Sequence, residues 1–145
     1  MSENLEKLVS TAQAMVAPGR GILAIDESMG TIKKRFDSVG VENTEDHRRD
    51  YRAMMLTADG IGEHISGAIL FDETIRQSTA DGKRLVDVMT EAGVLPGIKV
   101  DKGAKELAGF EGEKVTEGLD GLRERLAEYV DLGARFCKWR AVITI

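Results

Sequence analysis

The chain has 145 residues, of which 42% are hydrophobic and 31% charged, and its formal net charge is −5. This length and composition fit one soluble globular domain, and the acidic balance argues against a nucleic-acid-binding surface. No apolar run approaches the length of a membrane span, and the polar N-terminus resembles neither a signal nor a transit peptide. We therefore expect a cytoplasmic protein. Two histidines and one cysteine cannot form a histidine-rich or thiolate metal site, so we expect no metal.

The hydrophobic pattern predicts a first helix and then alternating strands and helices. The first helix has apolar residues at helical spacing from Leu5 to Val16 and stops at Pro18-Gly19. Four short apolar runs are typical of buried strands, and we predict them to be parallel and adjacent in chain order. The predicted strands lie near residues 21–26, 66–71, 96–101 and 136–143, and the later helices near 31–36, 44–58, 85–92 and 119–130. Thr44 is the expected N-cap of the second of these later helices, and residues 104–116 show no clear period.

Alternating strands and helices indicate an α/β fold with a parallel sheet. The chain shows no linker that would divide it, so residues 1–145 are expected to form one unit. The fourth apolar strand has no helix after it in this sequence, and an unpaired apolar edge favours aggregation. We therefore expect the chain to be part of a larger sheet.

Charged residues occur on the strands at spacings that place them on one face. Residues two apart share a face, which groups Asp26 with Ala24, Lys99 with Asp101, and Lys138 with Arg140. The apolar alternate residues are expected to pack against the helices, so the charged faces point into a barrel. Charged groups that face an interior are costly unless paired, and in (β/α)₈ enzymes such residues at the C-terminal mouth are usually catalytic.

Each of these charges, taken alone, is also explained as a strand-end side chain that reaches solvent. Together, two lysines, an arginine and an aspartate favour an anionic ligand such as a phosphate, with an acid-base carboxylate beside it. A lysine near other cations can also serve as a nucleophile. The residue pattern does not choose between these roles.

Several sequence blocks identify a family resemblance along nearly the whole chain. The blocks include Gly21-Ile22-Leu23-Ala24-Ile25-Asp26-Glu27-Ser28 within residues 16–28, together with residues 42–45, 56–59, 69–74, 97–103, 118–122 and 138–140. In this order they resemble the N-terminal half of the class I fructose-bisphosphate aldolases. The resemblance implies a TIM (β/α)₈ barrel, to which this chain supplies an N-terminal helix and the first four parallel strands.

The resemblance also implies an activity. Enzymes of this family cleave fructose 1,6-bisphosphate reversibly to dihydroxyacetone phosphate and glyceraldehyde 3-phosphate, without a metal or other cofactor, through a lysine Schiff base. No lysine of this chain matches the family's Schiff-base lysine. The implied partners are a sugar phosphate substrate, the C-terminal half of the barrel and other subunits of a homo-oligomer, a tetramer by resemblance, with no nucleic acid and no membrane.

The resemblance assigns roles to individual residues. Asp26 and Lys138 look like the residues that assist carbinolamine formation and proton transfer, and Lys99 is similar to a charged interior lysine near the Schiff base. The remaining substrate-binding candidates are Arg35 and Thr31 at a phosphate, Arg140 as an interior arginine that positions the substrate or steers its phosphate, and Glu27 and Ser28 at the strand mouth.

Other interpretations stay open at some of these positions. Glu27 and Ser28 are equally well explained as a cap of the following helix. Arg48 is interpreted as a solvated helix charge, and Cys137 as a buried filler. The alternative function is a self-associating half-barrel that binds anions without lyase activity.

Overall fold

The computed structural model describes residues 2–143 and 145, which form helices and strands in the predicted alternation. In chain order the elements are α1 (Glu3–Met15), β1 (Gly21–Ile25), α2 (Met29–Ser38), α3 (Glu45–Leu56), α4 (Ile61–His64), β2 (Ile65–Leu70), α5 (Asp72–Ile75), α6 (Leu85–Glu91), β3 (Leu95–Lys99), β4 (Ala104–Glu106), β5 (Lys114–Thr116), α7 (Leu122–Asp131) and β6 (Phe136–Lys138). No helix in this described part is long and apolar enough to cross a membrane.

Four of the strands form one sheet in the order β1-β2-β3-β6. All three neighbouring pairs are parallel, which confirms the predicted order and direction. The fourth strand is shorter than predicted, because it ends at Lys138 and not at residue 143. Its partner β3 ends at Lys99, opposite Lys138, and the Val100 amide makes the last rung by donating to the Lys138 carbonyl at 3.1 Å.

A small antiparallel hairpin, β4 with β5, was not predicted. Its side chains are exposed or half-buried, so neither face carries the apolar alternation by which a strand is recognised. Lys114 and Glu106 pair across it at 2.5 Å. The hairpin inserts into the chain directly after the end of β3.

Two helix ends show the local chemistry that commonly begins or ends a helix. The Thr44 hydroxyl accepts a hydrogen bond from the His47 amide at 3.2 Å, which confirms Thr44 as the N-cap of α3. Gly93, with φ of 73°, follows the C-terminus of α6 and takes the left-handed conformation that commonly ends a helix.

One face of the sheet packs against helices and forms the core. Its strand residues alternate with the charged set, as predicted: Ile25, Leu70, Ile98 and Val100 are each at most 2% exposed. Helix residues such as Met89 complete this cluster. Because these apolar side chains occupy the outward face, the other residues of each strand point to the inner face.

The inner face is arranged in layers across the strands. The strand register groups the lower layer as Ile22, Gly67 and Leu95, the middle layer as Ala24, Ile69, Gly97 and Phe136, and the upper layer as Lys99 and Lys138. Asp26 follows Ala24 by two residues and so joins the upper layer. The inner face is therefore apolar at the amino ends of the strands and charged at their carboxyl ends.

A close approach between α4 and the end of α6 generates a stability prediction. A Cβ atom on Gly62 would lie 1.8 Å from the carbonyl oxygen of Ala92, which is a backbone atom, whereas a Cβ on Gly30 of α2 meets nothing within 4 Å. We expect Gly62→Ala to lower the free energy of unfolding by about 1–3 kcal/mol or more, as overpacking does. The matched variant Gly30→Ala should leave it unchanged or raise it by up to about 1 kcal/mol. Urea unfolding of both variants tests this, and equal stability of the two would contradict the packing.

Candidate active site

The carboxyl ends of the four parallel strands bring ionisable side chains from distant parts of the chain together. Asp26 directly follows β1, Lys99 and Lys138 are the last residues of β3 and β6, and Asp101 comes two residues after Lys99. Because the strands are parallel, all of these residues lie at the same edge of the sheet.

Asp26 and Lys138 are in direct contact. The Lys138 ammonium donates to Oδ2 of Asp26 at 2.7 Å, and the two side chains are 35% and 9% exposed. Their strands lie at opposite edges of the sheet, three strand spacings or about 14 Å apart if the sheet were flat. The contact therefore requires a strongly curved sheet with both side chains on its concave face.

Lys99 is engaged by a different carboxylate. Its ammonium donates to the side chain of Asp101 and, at 2.9 Å, to the Asp101 carbonyl oxygen. Asp101 also accepts from the amides of Gly103 at 3.1 Å and Arg140 at 3.3 Å. Asp101 thus ties the ends of β3 and β6 together, and it was missing from the site residues predicted from sequence, although its position two residues from Lys99 was visible there.

Asp101 remains ionised. Burial would raise the pKa of its carboxyl group, but the hydrogen bond and charge of Lys99 and the two backbone amides together hold that pKa below the usual range. The ionised Asp101 carboxylate then anchors the Lys99 ammonium and offsets part of its positive charge.

Arg140 borders a cavity at this edge of the sheet. The cavity has a volume of about 720 Å³, and its lining includes Ser28, Lys99, Asp101 and Arg140. Polar groups converging on a concave surface are the usual form of a small-molecule site. The cationic side chains of the lining outnumber its carboxylates, five to three: Arg76, Lys99, Lys102, Arg125 and Arg140 against Asp72, Asp101 and Glu128. This excess of positive charge suits an anionic ligand.

The remaining predicted residues lie on α2 or in the two residues before it, with Thr31 in its first turn and Arg35 in its last. The hydroxyls of Ser28 and Thr31 lie 3.2 Å apart. Ser28 occupies the N-cap position of α2, but its side chain accepts no capping hydrogen bond in the described structure. Glu27 is buried, and Oε1 of its carboxylate accepts from NH1 of Arg35 at 2.6 Å.

Two interpretations from sequence are wrong. Arg48 is only 6% exposed and donates twice to Glu73, at 2.8 and 2.6 Å, so it is a buried ion-pair residue and not a solvated charge. Because α3 is polar overall, its sequence does not show which of its charged residues faces α5 and is buried there. Cys137 is exposed, because it lies on the edge strand β6 at an apolar groove that α1 and α7 border.

The arrangement can perform acid-base and anion-binding chemistry. It offers two lysine–carboxylate pairs at the carboxyl ends of the strands, with Arg140 beside one of them. Among residues 2–143 and 145, no three or more His, Cys, Asp and Glu side chains form a group that could hold a metal ion. Lys138 and Asp26 are close enough to exchange a proton with one substrate group.

Comparison with known proteins gives one consistent result. The family model described as "Fructose-bisphosphate aldolase class-I" matches residues 7–145. The chain is 66% identical over 142 residues to a probable fructose-bisphosphate aldolase class 1 of Xanthomonas axonopodis pv. citri, covering 98% of this chain and 42% of that protein. It is 57% identical over 140 residues to the cytoplasmic isozyme of fructose-bisphosphate aldolase of Cicer arietinum, covering 97% and 39%.

A solved structure agrees with the sequence relatives. Fructose-bisphosphate aldolase from Plasmodium falciparum, in complex with TRAP and a small-molecule inhibitor, matches with a TM-score of 0.95 at 48% identity, covering 97% of this chain and 41% of that one. The chain thus spans about two fifths of the length of the proteins that it matches.

The buried ion pairs on the outer side of the site generate a pH prediction. Hydrogen bonds from Arg48 lower the pKa of Glu73 despite its burial. The unfolded chain has a Glu pKa of about 4.3, and the pKa of Glu73 in the folded protein is lower. The contribution of ionised Glu73 to stability is therefore complete above about pH 4.3 and is lost as the pH falls through the folded pKa. Glu73→Gln should destabilise the protein by about 3–5 kcal/mol near pH 7, the cost of leaving Arg48 and Arg52 without a carboxylate, and by less below pH 4.

Chemical unfolding of the Glu73→Gln variant between pH 3 and pH 7 measures this difference. Asp37→Asn is the matched control, since Asp37 pairs with Lys33 on an exposed surface where ion pairs contribute little. A Glu73→Gln loss no larger than the Asp37→Asn loss would contradict the assignment.

Proposed function

The chain belongs to the class I fructose-bisphosphate aldolase family, and from that premise we propose that it is the portion of a fructose-1,6-bisphosphate aldolase that supplies Asp26, Lys99 and Lys138 to the active site. The reaction is the reversible cleavage of the bisphosphate to dihydroxyacetone phosphate and glyceraldehyde 3-phosphate. The contact between Lys138 and Asp26 across the curved sheet is the observation that carries this proposal.

The proposed reaction begins with a lysine amine that adds to the C2 carbonyl of the substrate. We assign this lysine to the part of the related proteins that this chain does not match. The adduct, a carbinolamine, loses water to give an iminium ion. The C3–C4 bond then breaks as the C4 hydroxyl loses its proton, and the bonding electrons move towards the iminium nitrogen. The resulting enamine is protonated and hydrolysed to release dihydroxyacetone phosphate.

Lys138 and Asp26 serve the proton transfers in this scheme. The Lys138 ammonium donates a proton to the carbinolamine hydroxyl as it leaves as water. The Asp26 carboxylate accepts a hydrogen bond from a substrate hydroxyl and takes up a proton. Their 2.7 Å separation supports the scheme, because a proton moved by one group is within reach of the other.

Lys99 has an electrostatic role in the proposal. A positive charge beside a second amine favours the neutral form of that amine, and an amine must be neutral to attack a carbonyl. The Lys99 contact with Asp101 fixes where this charge lies. Arg140 and Arg35 supply positive charge for the substrate phosphates, and the hydroxyls of Thr31 and Ser28 supply hydrogen bonds.

The biological setting follows from the same premise. We propose a glycolytic enzyme that acts in the cytoplasm as a homo-oligomer, and one similar protein is named as a cytoplasmic isozyme. The barrel partner of this chain is the C-terminal half typical of the family.

Replacement of the central pair tests the catalytic roles in the assembled enzyme. We expect Asp26→Ala or Lys138→Ala to lower kcat by about 10²-fold or more, the size typical of removing an acid-base group. The matched control is Lys114→Ala, which removes a lysine from the exposed hairpin and should leave kcat unchanged. Steady-state cleavage of fructose 1,6-bisphosphate is the measurement, and near-normal turnover by either site variant would refute its role.

The chain of 145 residues is expected to be inactive when produced alone. In the described residues, β1 and β6 each pair with one strand, so their open edges favour association with each other or with a second half-barrel. We expect an oligomeric or aggregating protein with no cleavage above background. Light scattering and borohydride trapping with substrate measure this. A monodisperse monomer that cleaves the bisphosphate at an enzyme-like rate would overturn the prediction, and anion binding without a trapped adduct in the assembled protein would support a non-lyase half-barrel instead.

A further inference from the structure

The guanidinium of Arg35 is held from one side only. Its NH1 donates to Oε1 of Glu27 at 2.6 Å and to the hydroxyl of Tyr51 at 3.2 Å. Nε and NH2 of Arg35 make no hydrogen bond to residues 2–143 or 145, and the side chain is 56% exposed. One edge of the guanidinium is therefore fixed while the opposite edge is open to solvent.

Glu27 faces inward, away from the solvent that a substrate would displace. Its side chain is 5% exposed, and its second oxygen, Oε2, is buried without a hydrogen-bond partner among the described residues. An unpartnered buried carboxylate oxygen is costly. Glu27 is thus poorly placed to touch a substrate and well placed to hold Arg35.

The surroundings of Glu27 carry an excess of positive charge. Arg52 is fully buried and donates to the Glu27 carbonyl oxygen at 2.9 Å, and Arg48 and Arg52 share Glu73. Three guanidiniums, counting Arg35, face two carboxylates in this cluster. The open edge of Arg35 is the part of this excess charge that reaches solvent.

We propose that Glu27, assisted by Tyr51, is a positioning residue that holds Arg35 by NH1 so that its free Nε and NH2 edge binds a phosphate monoester of the substrate. This inference rests on the proposed function, because the phosphate is that of the sugar phosphate. A guanidinium matches two phosphate oxygens with two parallel N–H groups. Holding an exposed arginine in that orientation before binding removes part of the ordering cost of binding.

The test is a double-mutant cycle in the assembled enzyme. We expect Glu27→Gln, which keeps the shape and removes the charge, to raise KM for fructose 1,6-bisphosphate about tenfold, the size of one charge-assisted hydrogen bond. Arg35→Ala should raise KM at least as much. In the Arg35→Ala background, Glu27→Gln should add nothing, because a residue that acts only through Arg35 has no further effect once Arg35 is gone.

The control lies on α2, the helix that carries Arg35. It is Asp37→Asn, which removes the partner of Lys33 and should leave KM unchanged. Additive effects of Glu27→Gln and Arg35→Ala would show direct substrate contact by Glu27 and overturn the proposal, as would an unchanged KM in Glu27→Gln. If Glu27→Gln does not fold, Tyr51→Phe decides the question: a rise in KM that disappears in the Arg35→Ala background supports the proposal, and an unchanged KM overturns it.

A binding measurement separates this inference from the proposed function. Calorimetric titration with inorganic phosphate requires no turnover, and we expect Glu27→Gln to weaken the affinity by about the same factor as KM. A wild-type enzyme that gives neither cleavage nor a borohydride-trapped adduct refutes the proposed function. Phosphate affinity that is equal in wild type and Glu27→Gln refutes the inference alone.

Discussion

The ammonium of Lys138 and the carboxylate of Asp26 lie 2.7 Å apart although 112 residues and two intervening strands separate them. A flat sheet would keep these groups apart, so the pair exists only because the sheet curves. Curvature also determines which side chains share a space, since it turns the alternate residues of every strand towards one another on the concave face. The charged upper layer and the apolar layers beneath it are consequences of this geometry. A side-chain pair formed in this way depends on the packing of the whole sheet, because any flattening would separate the two groups.

Partly buried ion pairs occur in two places, on the concave face of the sheet and among the helices outside it. On the concave face, Lys138 lies against Asp26 and Lys99 against Asp101, while outside the sheet Arg48 and Arg52 share Glu73. Partly buried charges cost less when paired. Lys138 with Asp26, and the two arginines with Glu73, join segments distant in sequence, whereas Lys99 and Asp101 are only two residues apart. The inner pairs keep access to solvent through the lysines, whereas the outer arginines are almost completely buried. This difference separates lysines that remain accessible at the concave face from arginines that hold α3 against α5.

The sequence predicted the strands, their order and the face on which the charges lie, because buried parallel strands leave a strong apolar signal and alternation is a local property. It placed Asp26 and Lys138 in one cluster through the family resemblance. It did not find Asp101 as the partner of Lys99, or the burial of Arg48, because both depend on which side chain a turn or helix face meets in three dimensions. The hairpin of β4 and β5 was missed because its strands bury few apolar side chains, so their sequence has no hydrophobic alternation. Thr44 was predictable, since an N-cap is decided within four residues.

The middle layer of the concave face shows how packing supports the site above it. Phe136 lies directly opposite Gly97 in the register, and a Cβ on Gly97 would lie 2.3 Å from its ring, while one on Gly67 would lie 2.9 Å from it. The ring therefore occupies space that two glycines leave open on neighbouring strands. Phe136 and Lys138 are two residues apart on the same face of a three-residue strand, so a ring held over β2 and β3 also fixes the direction from which Lys138 leaves β6. The two glycines thereby help to orient Lys138 towards Asp26.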